Sequence, residues 1–80
     1  MTQTLKQRSA PRRRILKAAT IEFSGGAFSC VIRDRSDIGA MLDVPSPIGI
    51  PDHFTLATDG SHIPCRVVWR KATRIGILFQ

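Results

Sequence analysis

Ala19-Thr20-Ile21-Glu22-Phe23-Ser24-Gly25-Gly26-Ala27-Phe28-Ser29-Cys30-Val31-Ile32-Arg33 is the stretch from which the rest of the chain is read. Ala19, Ile21 and Phe23 alternate with Thr20, Glu22 and Ser24; Phe28, Cys30 and Ile32 alternate with Ser29, Val31 and Arg33. Successive side chains of a strand point to opposite faces, so this period of two predicts two strands, each with one buried face. Gly25-Gly26 supplies a hairpin turn between them.

Working downstream, Ala40 to Val44 predicts a short third strand. Pro45-Ser46-Pro47-Ile48-Gly49-Ile50-Pro51 then brings three prolines and a glycine, which exclude helix or central strand and predict an ordered crossover. His53 to Thr58 reads as a fourth strand, with a hairpin turn at Asp59-Gly60. In the fifth, Ile63, Cys65, Val67 and Trp69 form one face, with Arg66 and Arg70 on the other. Ile75, Ile77 and Phe79 make a sixth after a turn near Lys71 to Thr73. No segment from Ile15 onward has helical periodicity. Six short strands in about 65 residues must curl to hide their faces and edges, so the expected fold is all-β, a small six-stranded antiparallel barrel. Phe23, Phe28, Phe54, Trp69 and Phe79 are expected to carry much of its core. The sequence stops at Gln80, directly after the last strand, so no C-terminal helix is expected.

Upstream the character changes. Lys6, Arg8, Arg12, Arg13, Arg14 and Lys17 lie in the first 17 residues with no acid among them. Arg33, Arg35, Arg66, Arg70, Lys71 and Arg74 balance Glu22, Asp34, Asp37, Asp43, Asp52 and Asp59, so the net charge of +6 belongs to the N-terminal part. Pro11 disfavours a continuous helix there. Residues 1–14 are therefore expected to be a flexible basic arm and residues 15–80 the barrel. A neutral body with a cationic arm suits an anionic partner: phosphate, nucleic acid or a membrane surface.

Several classes fall away. Cys30 and Cys65 are too few for a disulfide framework and are expected as reduced core thiols. With His53 and His62 they have the wrong spacing for a zinc module, and no metal or other cofactor is expected. The histidines stand apart with no nucleophile motif beside them, so an enzyme is not expected. No apolar run spans a bilayer and the arm has no apolar face, so stable membrane insertion is not expected and a cytoplasmic protein is the simplest reading. A nucleic-acid-binding barrel is one rival, but the arm lacks Phe, Tyr and Trp for stacking on bases, and no DNA partner is expected.

Two motifs remain. Arg8 and Arg12, four steps apart, can reach different parts of one nucleotide-sized anion. Arginine's planar fork matches phosphate oxygens and guanine O6 and N7. Asp34-Arg35-Ser36-Asp37-Ile38-Gly39 lies where one strand ends and another begins. Its carboxylate can accept from guanine's N–H edge, its hydroxyl can donate or accept, and its glycine permits positive φ or close approach to a ligand. Turn residues of the same types are also ordinary in loops without a ligand.

Arg8-Ser9-Ala10-Pro11-Arg12 fits an R-x-x-x-R motif and Asp34-Arg35-Ser36-Asp37-Ile38-Gly39 a D/N-x-S-x-x-G motif. In this the chain resembles PilZ domains, bacterial receptors for the second messenger cyclic di-GMP. Val67-Val68-Trp69 and Gly76-Ile77-Leu78-Phe79 look like the family's last two strands. The resemblance implies a ligand site of Arg8, Arg12, Asp34, Ser36 and Gly39, with Arg13 as a helper. It further implies an arm that orders over the ligand and signals to a downstream protein partner. Some relatives have lost the ligand and act as protein adaptors, the other reading that the resemblance allows. No residue selects among motility, polysaccharide synthesis, adhesion and virulence as the output.

Overall fold

The structure, a computed structural model, describes residues 13–80, with Arg13 described in its backbone only. Alternating patterns resolve into six strands: β1 (Arg13–Phe23), β2 (Gly26–Arg35), β3 (Gly39–Asp43), β4 (His53–Thr58), β5 (Ser61–Lys71) and β6 (Arg74–Phe79). They close into an antiparallel barrel in the order β1-β2-β3-β6-β5-β4, with β4 pairing back onto β1. Closure leaves no unpaired sheet edge, which is how so short a chain hides six strands. The described residues contain no helix.

The interior is aliphatic rather than aromatic. Ile21, Ile32, Leu42, Leu56 and Ile75 are wholly buried. Each contributes about 1.5–3 kcal/mol by leaving water. Of the five aromatics expected in the core only Phe54 is buried there; Phe23, Phe28 and Phe79 pack partly buried at or near strand ends, and Trp69 is exposed. A six-stranded lumen is narrow and takes branched side chains in layers, leaving rings to close the ends. Phe23 and Phe28 do so as a tilted pair with centroids 5.6 Å apart.

Trp69 is outside because β5 carries a bulge. Val67 pairs with Ile77 and Trp69 with Gly76, so Val68 is one residue in excess. An extra residue reverses the alternation beyond it. Cys65 and Val67 therefore face inward as expected, whereas Trp69 faces outward. Arg70 also departs from the expected outer face: it pairs with buried Ile75 and reaches past the strand end to Pro47 O (2.8 Å) and Asp52 Oδ1 (2.9 Å). Two further bulges lie close to one another, one on β1 between Arg14 and Lys17, where exposed Leu16 has φ 44°, the other on β2 at Arg33.

The turns follow their chemistry. Asp59 (φ 50°) and Gly60 (φ 77°) both have the positive φ of a type I′ hairpin. The first hairpin turns on Ser24-Gly25, one residue before the expected glycine pair, and Gly26 already belongs to β2. The proline-rich crossover is ordered: buried Ile50 anchors it, Val44 N–H donates to Thr73 O (2.8 Å) and Val67 N–H to Asp52 O (2.8 Å).

Candidate functional site

Strand register assembles the site. Arg14 of β1 pairs with Asp34 of β2, Asp34 with Met41 of β3, Met41 with Gly76 of β6, and Gly76 with Trp69 of β5. Directly paired residues share a face. The neighbouring row through Ala40 and Ile77 is buried, so the Arg14–Asp34–Met41–Gly76–Trp69 row runs across the outside of five strands. At about 4.8 Å per strand it spans roughly 19 Å. Gly76 makes room for the indole: an added Cβ there would fall on Trp69 Nε1 and lie 2.7 Å from its Cδ1.

A second outward row is charged. Arg74 Nε donates to Asp43 Oδ1 (2.9 Å), Arg33 Nη1 lies 3.3 Å from Asp43 Oδ2, and Lys71 is paired in register with Arg74. Between the rows lies a recess of about 430 Å³ lined by Met41, Trp69, Lys71, Ala72, Thr73 and Arg74. The β5–β6 hairpin from Ser61 to Phe79 carries Arg66, Arg70, Lys71 and Arg74 and no acid of its own, and two of these cations are paired with acids from elsewhere in the chain, Arg70 with Asp52 and Arg74 with Asp43.

The loop between β2 and β3 is a compact turn. Ser36 N–H donates to Gly39 O (2.9 Å), and Ile38 N–H donates to Ser36 Oγ (3.3 Å), a hydroxyl-closed turn that leaves Asp37 and Ile38 exposed. The loop is tied to β6 by Phe79 N–H donating to Ile38 O (2.8 Å). Gly39 does not have positive φ. Its lack of a side chain serves contact with β6, since a Cβ would fall on the Ile77 carbonyl oxygen.

Of the residues singled out from sequence, Asp34 near the end of β2, Ser36 in the turn and Gly39 at the start of β3 therefore lie together, with Asp34 second in the outward row. Arg8 and Arg12 lie outside the described residues. Arg13 opens β1 with its Cα paired to Arg35, so the chain enters the barrel beside the loop. Arg14, Met41 and Trp69 share the outward row with Asp34 but were not among the residues singled out, Trp69 having been read as core. Arg14 could have been found from the antiparallel pairing of the first two strands, whereas Trp69 depended on a bulge that no sequence pattern marks.

The other polar side chains have local roles. His53 Nδ1 lies 3.2 Å from Gln80 Oε1 and His62 Nε2 3.8 Å from Glu22 Oε1, both exposed. Cys30 and Cys65 are free and buried. Burial pushes both thiols up to about 11, with the charge of Cys65 adding to the effect on Cys30. A backbone hydrogen bond at Leu56 and the charge of Arg35 draw Cys65 part of the way back. Among the described residues no three His, Cys, Asp or Glu side chains could hold a metal ion, and no helix is long and apolar enough to cross a membrane.

The fold defines a small closed barrel with a filled interior, whose chemistry lies on its outer face and loops. More particularly, the profile of the PilZ domain matches residues 6–80, and the chain belongs to that family. PilZ domains are non-catalytic receptor modules, and membership supports a general role as a cyclic di-GMP-binding or adaptor domain. No curated protein matches the chain.

Proposed function

We propose that this chain is a cyclic di-GMP receptor in which Arg8 and Arg12, helped by Arg13, close over a ligand seated against Asp34, Ser36 and Gly39. The observation that supports the reading is the pairing of Arg13, the residue that follows the R-x-x-x-R segment in sequence, with Arg35 of the D-x-S-x-x-G motif. Arg12 is one Cα step of about 3.8 Å from Arg13, and Arg8 at most about 18 Å from it in a fully extended chain. Both arginines are therefore within a dinucleotide's length of Arg13 along the chain. The arginines would meet phosphates and the guanine O6/N7 edge, while the Asp34 carboxylate accepts from the opposite edge. Trp69 offers an exposed indole on the same outward row, and Lys71 lines the recess beside it, where an anion would find a cation. Ordering of the arm over the ligand is the proposed signal to a downstream protein partner.

The test is calorimetric titration of cyclic di-GMP, with GTP and cyclic AMP as controls, into wild type and the double variant Arg8→Ala, Arg12→Ala. Trp69 is the sole tryptophan and the chain has no tyrosine, so its emission reports on this face directly. Selective binding at low micromolar or tighter, with a change in Trp69 emission and loss in the variant, supports the receptor. Absence of binding by wild type leaves the ligand-free adaptor reading.

A further inference from the structure

We infer that Arg35 is a positioning residue whose stack on Phe79 locks the Asp34–Gly39 loop to the last strand and presets the outward aim of its neighbours; as a statement about affinity, this rests on the binding proposed above. Arg35 occupies a position between Asp34 and Ser36 that the motif leaves open. Its register partner on β3 is Ala40, which in turn pairs with Ile77, and both are buried. Arg35 is thus on the inward row while Asp34 is on the outward one. A long cation on an inward row loses water and needs a partner. It has one in the ring of Phe79, whose centroid lies 5.1 Å from the guanidinium carbon.

The stack acts together with a hydrogen bond. Phe79 N–H donates to Ile38 O at 2.8 Å, so the same β6 residue holds the loop at positions 35 and 38. Between these tethers the loop has the Ser36-to-Gly39 and Ile38-to-Ser36 bonds. Removing the stack leaves the strand end that aims Asp34 held by fewer contacts. A loop already ordered when the ligand arrives avoids the ordering cost that would otherwise reduce affinity.

The test uses the full chain and the variants Arg35→Ala, Arg35→Lys, Phe79→Leu and Arg35→Ala/Phe79→Leu. Amide hydrogen exchange is read without ligand at Ser36 and Phe79, against Ile21 and Leu56 in the core. Cyclic di-GMP is then titrated at low and high salt. Expected are faster exchange at positions 36 and 79 relative to the core in Arg35→Ala and in Phe79→Leu, and affinity lower by about twofold to thirtyfold. The double variant should be no weaker than the worse single one, Arg35→Lys intermediate, and the ratio to wild type equal at both salts. Unchanged exchange, full additivity, or a loss that fades with salt would overturn the inference, the last by assigning the effect to bare charge. If wild type does not bind while the exchange changes appear, the receptor reading falls and the loop-to-strand lock stands.

Discussion

Replacing Gly39 by alanine should destabilise the barrel by about 2–4 kcal/mol, although the change adds one methyl group in a segment first read as a ligand loop. The added Cβ would fall on the carbonyl oxygen of Ile77 and lie 3.3 Å from Leu78 Cδ2. Leu78 can change rotamer. The Ile77 carbonyl cannot move freely, because it belongs to a strand paired on both sides within the closed barrel. Relief requires β3 and β6 to separate locally, at about 1–3 kcal/mol for overpacking, and weakens the Phe79-to-Ile38 hydrogen bond by about 0.5–1.5 kcal/mol. A domain of this size shifts its Tm by roughly 4–8 °C per kcal/mol, so a fall on the order of 10–30 °C follows. Thermal and urea melts of Gly39→Ala, with Gly25→Ala as control, measure it. The Gly25 Cβ would meet only the Phe23 ring, a side chain that can shift, at 3.2 Å. A loss below about 0.5 kcal/mol for Gly39→Ala would refute the packing argument. Lost ligand affinity at unchanged stability would reassign the glycine to close approach of the ligand.

Two further outcomes follow from buried polar groups. Thr58 Oγ1 is buried without a hydrogen-bond partner, so Thr58→Val should stabilise the protein by about 1 kcal/mol in urea melts; a loss of stability would show that the hydroxyl is satisfied in solution. Both thiols titrate at about 11 in the folded chain against a reference of 9.0, so above pH 9.0 the unfolded chain gives up protons that the folded chain keeps. Stability is thus fully present below pH 9.0 and declines as pH rises toward 11, by at most about 1.4 kcal/mol per pH unit per thiol. Urea melts across this range should show a flatter decline in Cys30→Ala/Cys65→Ala; an identical slope would place the effect elsewhere.

Much of this molecule was legible as pattern. A period of two interrupted by Gly, Pro and Asp signals strands and turns from short-range chemistry, so the six strands and the proline-rich crossover lie close to their expected places. The candidate loop was legible because its residues are consecutive. Its geometry was not. Positive φ was one reason to expect a glycine at position 39, whereas the structure needs it for the approach of Ile77, a residue nearly forty positions later. Trp69 read as core because alternation was extended through Val68, and a bulge is set by pairing between strands rather than by residue type.

Local sequence therefore determined the all-β class, the strand positions, the segregation of excess charge to the first residues and the two motifs that carry the family resemblance. These depend on neighbours within a few residues, and backbone sterics and hydrophobic period act at that range. Tertiary structure alone decided which face each side chain serves. It turned Asp34 out and Arg35 in, laid Trp69 over Gly76, and brought Arg13 beside Arg35. Register and bulges arise only when strands distant in sequence pair, and a shift of one residue exchanges the two faces.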